Sequence, residues 1–397
     1  MEEPSEQPER SEGSSASPRS AVHSEGRIPV ELEDFQDPRK IFHHMDRVVE
    51  LARTSDTRPV HMTIGLTNYC NHKCPWCYIN WNQAGKQSAR SGTEDAPRPA
   101  INADWRIVEA VRQAKDLGLK AVTIVGDGEP TLHPRFLDML GALASLKIDI
   151  GIFTNLSTKK QAVLEALLEQ CFFVRCSIDA ARPEIHRRSH GADDFERIIQ
   201  NLRRLVALRG EGRHPVIGIQ YVVNQHNAHD LSHAAEFYRD LGVDYLTIKP
   251  AYKNGLNPAH ISNDLTSDVA LSLLAEAKKA QTDRYRVYAK TSQFKEVLGY
   301  ETNDGRYYKK CLATPLSPYL DEDGSVEMCG NLKGRGFKLG NVFEQSFKEI
   351  WESHHRSACV KKIDLHKCPA GCKLDPLNKV LWDAIYPDGA RVHTNFV

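Results

Sequence analysis

Cys70, Cys74 and Cys77 stand within eight residues as C-x-x-x-C-x-x-C, with Tyr78 following directly. Three thiolates on one short loop can hold three irons of a four-iron, four-sulfur cluster and leave the fourth iron open to a substrate-derived ligand. Zinc prefers four protein ligands, often as two C-x-x-C pairs. The one further ligand type nearby, His72, lies inside the loop, where the tight spacing makes it an awkward partner.

A second group occupies the last quarter of the chain: Cys311, Cys329, Cys359, Cys368 and Cys372. With Cys171 and Cys176 these make ten cysteines. In a reducing compartment such a set points to metal binding or catalysis rather than disulfides. The segment Leu320 to Cys329 reads as a β-hairpin turning at Asp323-Gly324, which would bring Cys311 and Cys329 together. Cys368 and Cys372 add two thiols on a tight turn, with three residues between them where a zinc knuckle usually has two. That spacing weakens structural zinc, which stays as the alternative to a cluster.

These residues need elements to position them. From about residue 60, short apolar β runs alternate with amphipathic helical stretches, the pattern of a parallel sheet. Strands are expected at 61–66, 121–125, 149–154, 172–178, 216–222 and 245–248, with helical periods at 104–117, 134–146, 159–169, 193–209 and 228–241. Six βα units predict an α/β fold, a partial (β/α)6 TIM-like barrel, whose functional residues gather at the C-terminal strand ends. The first cysteine loop follows the first strand. Gly126-Asp127-Gly128-Glu129-Pro130 follows the second, and glycines there let backbone approach a ligand closely. Taken alone, Glu129 could equally be a capping carboxylate before Pro130.

In order and spacing these elements resemble the radical S-adenosylmethionine (SAM) superfamily. The resemblance implies a SAM-binding 4Fe–4S cluster on Cys70, Cys74 and Cys77, and Tyr78 packing near the adenine. It implies that Gly126, Gly128 and Glu129 receive the methionine ammonium, while Thr154, Asn155, Ser177 and Asp179 line methionine and ribose. Cys311, twelve residues, Gly324, four residues and Cys329 resemble the opening of the family's Twitch and SPASM extensions. A full SPASM module needs seven cysteines, so the count favours Twitch. An auxiliary 4Fe–4S cluster on Cys311, Cys329, Cys368 and Cys372 leaves Cys359 over. A reducing partner such as flavodoxin or ferredoxin is implied as well.

The substrate resemblance is to enzymes of aminoglycoside and aminocyclitol biosynthesis, which oxidise a secondary alcohol of a small polar metabolite or invert its carbon. Arg175, Lys249 and Tyr252, near the strand ends, are candidates to manage the proton, although ordinary ion pairing would explain the two cations as well. Epimerisation would need a hydrogen-atom donor, for which Cys176 is the candidate. Strand alternation turns it away from Ser177 and the barrel interior, which favours oxidation. The rival is a peptide-modifying SPASM maturase, disfavoured because residues 1–60 look too short and polar for a leader-binding domain. A non-enzymatic iron–sulfur or zinc scaffold would leave the GDGEP element unexplained.

Bulk properties narrow the partners. Lysine plus arginine equal aspartate plus glutamate at 52 each, which argues against nucleic acid. The sequence has no apolar run of about 18 residues and no signal peptide at its N-terminus, so no membrane association and a cytoplasmic location are expected. The expected organisation is a disordered tail (1–26), an N-terminal extension (27–58), the barrel (59–300) and an auxiliary cluster domain (301–397).

Overall fold

A computed structural model describes residues 32, 35–77, 101–212, 214–251, 266–299, 306–368 and 370–387. The expected tail, Tyr78 and Tyr252 lie outside the described residues.

Seven strands pair in parallel in chain order: β1 (His61–Ile64), β2 (Ala121–Ile124), β3 (Asp149–Thr154), β4 (Phe173–Ser177), β5 (Val216–Val223), β6 (Tyr245–Pro250) and β7 (Arg286–Ala289). The expected partial barrel is present, extended by β7, whose four residues are too few to register as a period. Helices cover the outer face. They are α1 (Met45–Thr54), α2 (Arg106–Asp116), α3 (Phe136–Ser145), α4 (Gln161–Gln170), α5 (Pro183–His190), α6 (Phe195–Arg209), α7 (Leu231–Asp240), α8 (Ser267–Lys278) and α9 (Thr291–Val297). The sequence pattern did not predict α5, because Ile185 is the one aliphatic residue in it. Its ends nevertheless carry start and stop signals, Pro183 in the first turn and Gly191 in the left-handed conformation at φ 60°. Every residue of β5 is buried, as a central parallel strand between helix layer and barrel interior requires.

The C-terminal part supplies β8 (Tyr319–Leu320), β9 (Ser325–Glu327), β10 (Lys338–Asn341), α10 (Phe347–Trp351), α11 (His354–Lys361) and α12 (Asp375–Ile385). The predicted hairpin forms: β8 and β9 are antiparallel, and the Gly324 N–H donates to Asp321 O across the turn at 3.0 Å, with Gly324 at φ 80°. β8 also pairs in parallel with the free edge of β1, Thr63 with Tyr319 and Ile64 with Leu320, so barrel and hairpin share one ten-stranded sheet. Among the described residues no helix is long and apolar enough to cross a membrane.

At the N-terminal end of the barrel, Phe35 packs on Phe173 and Tyr245 with ring centroids 5.8 and 5.2 Å away. The N-terminal segment joins the C-terminal part too, since Val48 and Leu51 of α1 share an apolar cluster with Leu312, Leu374 and Leu381. Buried Arg356 of α11 stacks on Trp351 at 3.9 Å and donates to Asp56 Oδ2 and Oδ1 at 2.7 and 2.5 Å. Removing one partner of such a pair strands the other, and Asp56 is partly solvated. Arg356→Ala should therefore lower unfolding free energy by about 2–3 kcal/mol in urea denaturation, with the m-value unchanged.

Candidate functional site

The cysteine loop is held between two neighbours. On one side the GDGEP turn lies against its stem: the Gly128 N–H donates to Thr67 O at 3.0 Å and the Glu129 N–H to Tyr69 O at 2.8 Å. A Cβ on Gly128 would stand 2.1 Å from Tyr69 O, so glycine is obligatory there. On the other side the Lys73 N–H donates to His190 O at 2.7 Å, at the end of α5.

These contacts open a cavity of about 290 Å³ at the C-terminal strand ends. Cys70, Cys74 and Cys77 line it together with Gly126, Gly128, Glu129, Thr154, Asn155, Ser177 and Lys249. The chain therefore brings most of the predicted site residues into one place, on the ends of β1, β2, β3, β4 and β6.

The Glu129 carboxylate is buried and already holds partners. Oε1 accepts from the Thr131 and Thr154 hydroxyls at 2.7 and 2.6 Å, and Oε2 from the Asn155 N–H at 2.7 Å. Asn155 also donates to Asn71 Oδ1 at 3.0 Å, which ties the third strand end to the cysteine loop. Glu129 thus acts as the clasp of β2 and β3 as well as a group facing the cavity.

Three predicted residues stand elsewhere. Asp179 is wholly buried behind the wall, its Oδ1 accepting from the Val222 N–H at 2.7 Å. Cys176 is wholly buried in the helix-side core, as strand alternation requires, and burial pushes its thiol well above the ordinary range. Arg175 points into the barrel one layer below the cavity: its Nε donates to the Tyr245 hydroxyl at 2.9 Å and its guanidinium lies 4.6 Å over Phe153. It is part of the aromatic plug rather than a mouth residue. Lys249 does face the cavity, and burial, countered by Asp179 and reinforced by Arg175, lowers its pKa to about 8.

Sequence reasoning missed the wall contributed by the C-terminal part. Tyr319, Asn331, Lys333 and Lys373 line the same cavity. Lys333 bridges Asp127 of the GDGEP turn and Asp321 of the hairpin at 2.8 and 2.6 Å. Burial, with Lys333 opposing it, raises Asp321 to about 7. The signal available was Lys373 standing next to Cys372, but nothing in the sequence marks Lys333.

The residues suit a cluster. Cys74 is raised well above the ordinary thiol range by burial and then by Cys77 and Cys70, so the three sulfurs stand close enough to act on one another. Beside them the buried Trp76 Nε1 has no hydrogen-bond partner while Trp76 lines the cavity. In the C-terminal part, Cys329, Cys368 and Cys372 are all raised by burial, Cys372 to about 12, and the thiols of Cys311 and Cys329 act on both of the others. Asn378 places its Nδ2 at 3.4 Å from Cys311 Sγ and accepts the Leu312 and Ala313 N–H groups on its Oδ1. Cys359 sits apart on α11, buried, with His355 Nε2 3.6 Å from its sulfur.

The family model for the radical SAM superfamily matches residues 64–249, and that for the SPASM iron–sulfur cluster-binding domain matches residues 311–373. The chain is a radical SAM protein of the Twitch/SPASM type. Its cofactors are SAM and 4Fe–4S clusters. Relatives include the tungsten-containing aldehyde ferredoxin oxidoreductase cofactor-modifying protein of Pyrococcus furiosus, 24% identical over 308 residues, 74% of this chain and 81% of that protein. The antilisterial bacteriocin subtilosin biosynthesis protein AlbA of Bacillus subtilis is 24% identical over 337 residues, 81% of this chain and 68% of AlbA. The fold is that of Streptococcus suis SuiB, solved bound to its precursor peptide SuiA, with a TM-score of 0.63 at 18% identity over 89% of this chain and 80% of SuiB.

Two clusters correspond to about eight irons. Cys70→Ala with Cys74→Ala and Cys77→Ala should retain about four after anaerobic reconstitution and form no 5′-deoxyadenosine. Gly128→Ala, which drives a methyl group into the loop stem, should lose at least about 100-fold in SAM cleavage while the auxiliary irons remain. Iron analysis and chromatography of 5′-deoxyadenosine check both.

Proposed function

We propose that this radical SAM enzyme modifies a peptide. The observation that carries this reading is the match to AlbA across 81% of the chain, which takes in the barrel and the cluster domain together. The SuiB fold, seen with a precursor peptide, agrees with it. The cavity supports it as well, since Trp76, Phe153 and Tyr319 give the wall an aromatic character. Several of its polar side chains are already committed: Asn155 to Asn71, Thr154 to Glu129 and Asp127 to Lys333. A polyhydroxylated sugar needs many convergent uncommitted donors and acceptors, so oxidation of a sugar-like alcohol is the less well supported reading.

In this proposal Cys70, Cys74 and Cys77 hold the SAM-binding cluster, and Cys311, Cys329, Cys368 and Cys372 hold the auxiliary one. When bound, the first supplies the electron that splits SAM into methionine and a hydrogen-abstracting 5′-deoxyadenosyl radical, and the second serves electron transfer. The Gly126–Gly128 backbone lets the methionine end approach closely. A flavodoxin or ferredoxin is the reducing partner, and residues 59–300 and 301–397 act as barrel and cluster unit. Lys249 takes the proton that leaves the substrate when it is oxidised. Its buried position favours the neutral amine, and a base with a pKa near the working pH is the efficient one. Cys176, facing the helix layer, offers no thiol to the cavity, so epimerisation through it is not favoured.

A direct test incubates reconstituted enzyme, SAM and dithionite with short peptides encoded beside the gene and, separately, with a panel of aminocyclitols and aminoglycosides. A peptide lighter by two hydrogens is expected, with the panel unchanged. A ketone from the panel and no altered peptide would overturn the reading.

The acceptor role has its own signature. Because the folded pKa of Lys249 is lowered to about 8, its neutral fraction grows as pH rises through that value. Product formation should climb with pH, reach half its plateau near 8, and lose this dependence in Lys249→Met. That variant should also turn over about 10²–10⁴-fold more slowly. In deuterium oxide the wild type and Cys176→Ala should yield the same product, without solvent deuterium on carbon.

A further inference from the structure

Next to the first cysteine group lies a buried histidine cluster that none of the chemistry above uses. His72 from the cysteine loop and His186 and His190 from α5 are each at most 3% exposed. The rings of His186 and His190 stack with centroids 4.7 Å apart. His190 Nδ1 lies 3.3 Å from Cys74 Sγ and 3.3 Å from His72 Nδ1.

The hydrogen bonds fix which nitrogen of each ring carries the proton. The Asp179 backbone N–H donates to His190 Nε2 at 3.1 Å, so that nitrogen presents its lone pair and the hydrogen sits on Nδ1. Asp179 Oδ2 lies 3.3 Å from the same nitrogen; were the ring protonated on both nitrogens it would pair there, and Nδ1 would still carry its hydrogen. His72 gives its Nε2–H to Asp194 Oδ2 at 3.2 Å and therefore accepts at Nδ1. His186 gives its Nε2–H to Asp194 Oδ1 at 2.9 Å. Read from either end, the chain leaves the His190 Nδ1–H two acceptors, His72 Nδ1 and Cys74 Sγ. A metal-bound cysteine is a thiolate, and an anionic sulfur outcompetes a neutral imidazole for that hydrogen.

We propose that His190 donates its Nδ1–H to the Cys74 sulfur once the SAM-binding cluster is in place, and so raises the reduction potential of that cluster. A hydrogen bond to a ligating sulfur withdraws electron density and makes the added electron easier to accept. Asp179, placed behind the cavity wall, sets the His190 tautomer, and Asp194 sets those of His72 and His186. His190 is a positioning residue acting through Cys74. The inference rests on Cys74 being a cluster ligand, which the iron analysis of the triple cysteine variant tests independently.

The experiment is an EPR-monitored redox titration of the reconstituted full-length enzyme, following the signal that SAM perturbs and thus the cluster with the open iron. Three proteins are compared: wild type, His190→Phe, which keeps a ring without the donor, and His190→Gln, which keeps an N–H. At the poise where the wild-type cluster is half reduced, the ratio of reduced to oxidised cluster in His190→Phe should be about tenfold lower, about 59 mV for one electron. His190→Gln should recover most of the loss, and the auxiliary cluster should keep its midpoint in all three. An unchanged midpoint in His190→Phe with full iron loading would sink the proposal. If His190→Phe does not load iron, pulsed EPR on wild type labelled with ¹⁵N-histidine decides. A nitrogen coupling to the SAM-perturbed cluster that disappears in His190→Gln supports the bond, and its absence from the wild type rules it out.

Discussion

The structure depends on β1 being paired in parallel along both edges. Thr63 and Ile64 meet Thr123 and Ile124 of β2 on one side and Tyr319 and Leu320 of β8 on the other. The cysteine loop that follows β1 therefore shares its cavity with the turn after β2 and with the β8–β9 hairpin and the segment after it. Small residues make this enclosure tight. A Cβ on Gly65 would stand 2.8 Å from Glu322 Oε2, and one on Gly126 would stand 3.2 Å from Thr67 O. One strand thus relates the two cysteine groups, although about 240 residues separate them in sequence.

Polar contacts at this seam specify its register more than they strengthen it. Lys333 loses water on burial, and its ammonium is held charged by Asp127, Asp321 and Glu322. Buried ion pairs of this kind return little net stability against their desolvation cost. What Lys333 supplies is a reason for the hairpin to dock in one way, with Asp321 opposite the turn that faces the cavity. A one-residue slip along β1 would present the opposite face of β8 and separate these charges.

The parts of the site legible in the sequence are those carried by local spacing. The cysteine loop, the GDGEP turn and the Asp323-Gly324 hairpin are all fixed by residues close together in the chain, and the strand periods place them at one end of a parallel sheet. Alternation also predicted the face of Cys176 correctly, because a side-chain period of two depends on nothing distant. Depth along the barrel is another matter. Arg175 and Ser177 share a face, yet one stacks in the aromatic plug and the other lines the cavity, and no pattern within β4 distinguishes them. The resemblance implied that Asp179 lines the ligand, but its carboxylate closes the gap to β5. His190 and Lys333 act through partners more than 100 residues away, Cys74 and Asp127, and such pairings are invisible to a single sequence. The substrate class was the least legible, since it depends on which cavity groups remain uncommitted after folding.

The pairing of β1 with β8 also orders events during synthesis. Residues 61–64 leave the ribosome early, while their second partner, 319–320, follows some 250 residues later, a connection of very high contact order. Until then β1 presents an unpaired edge, the kind of surface that invites intermolecular strand addition. The cysteine loop therefore gains its complete enclosure only after translation has passed the hairpin, and a nascent chain stalled before that point would be the aggregation-prone species of this protein.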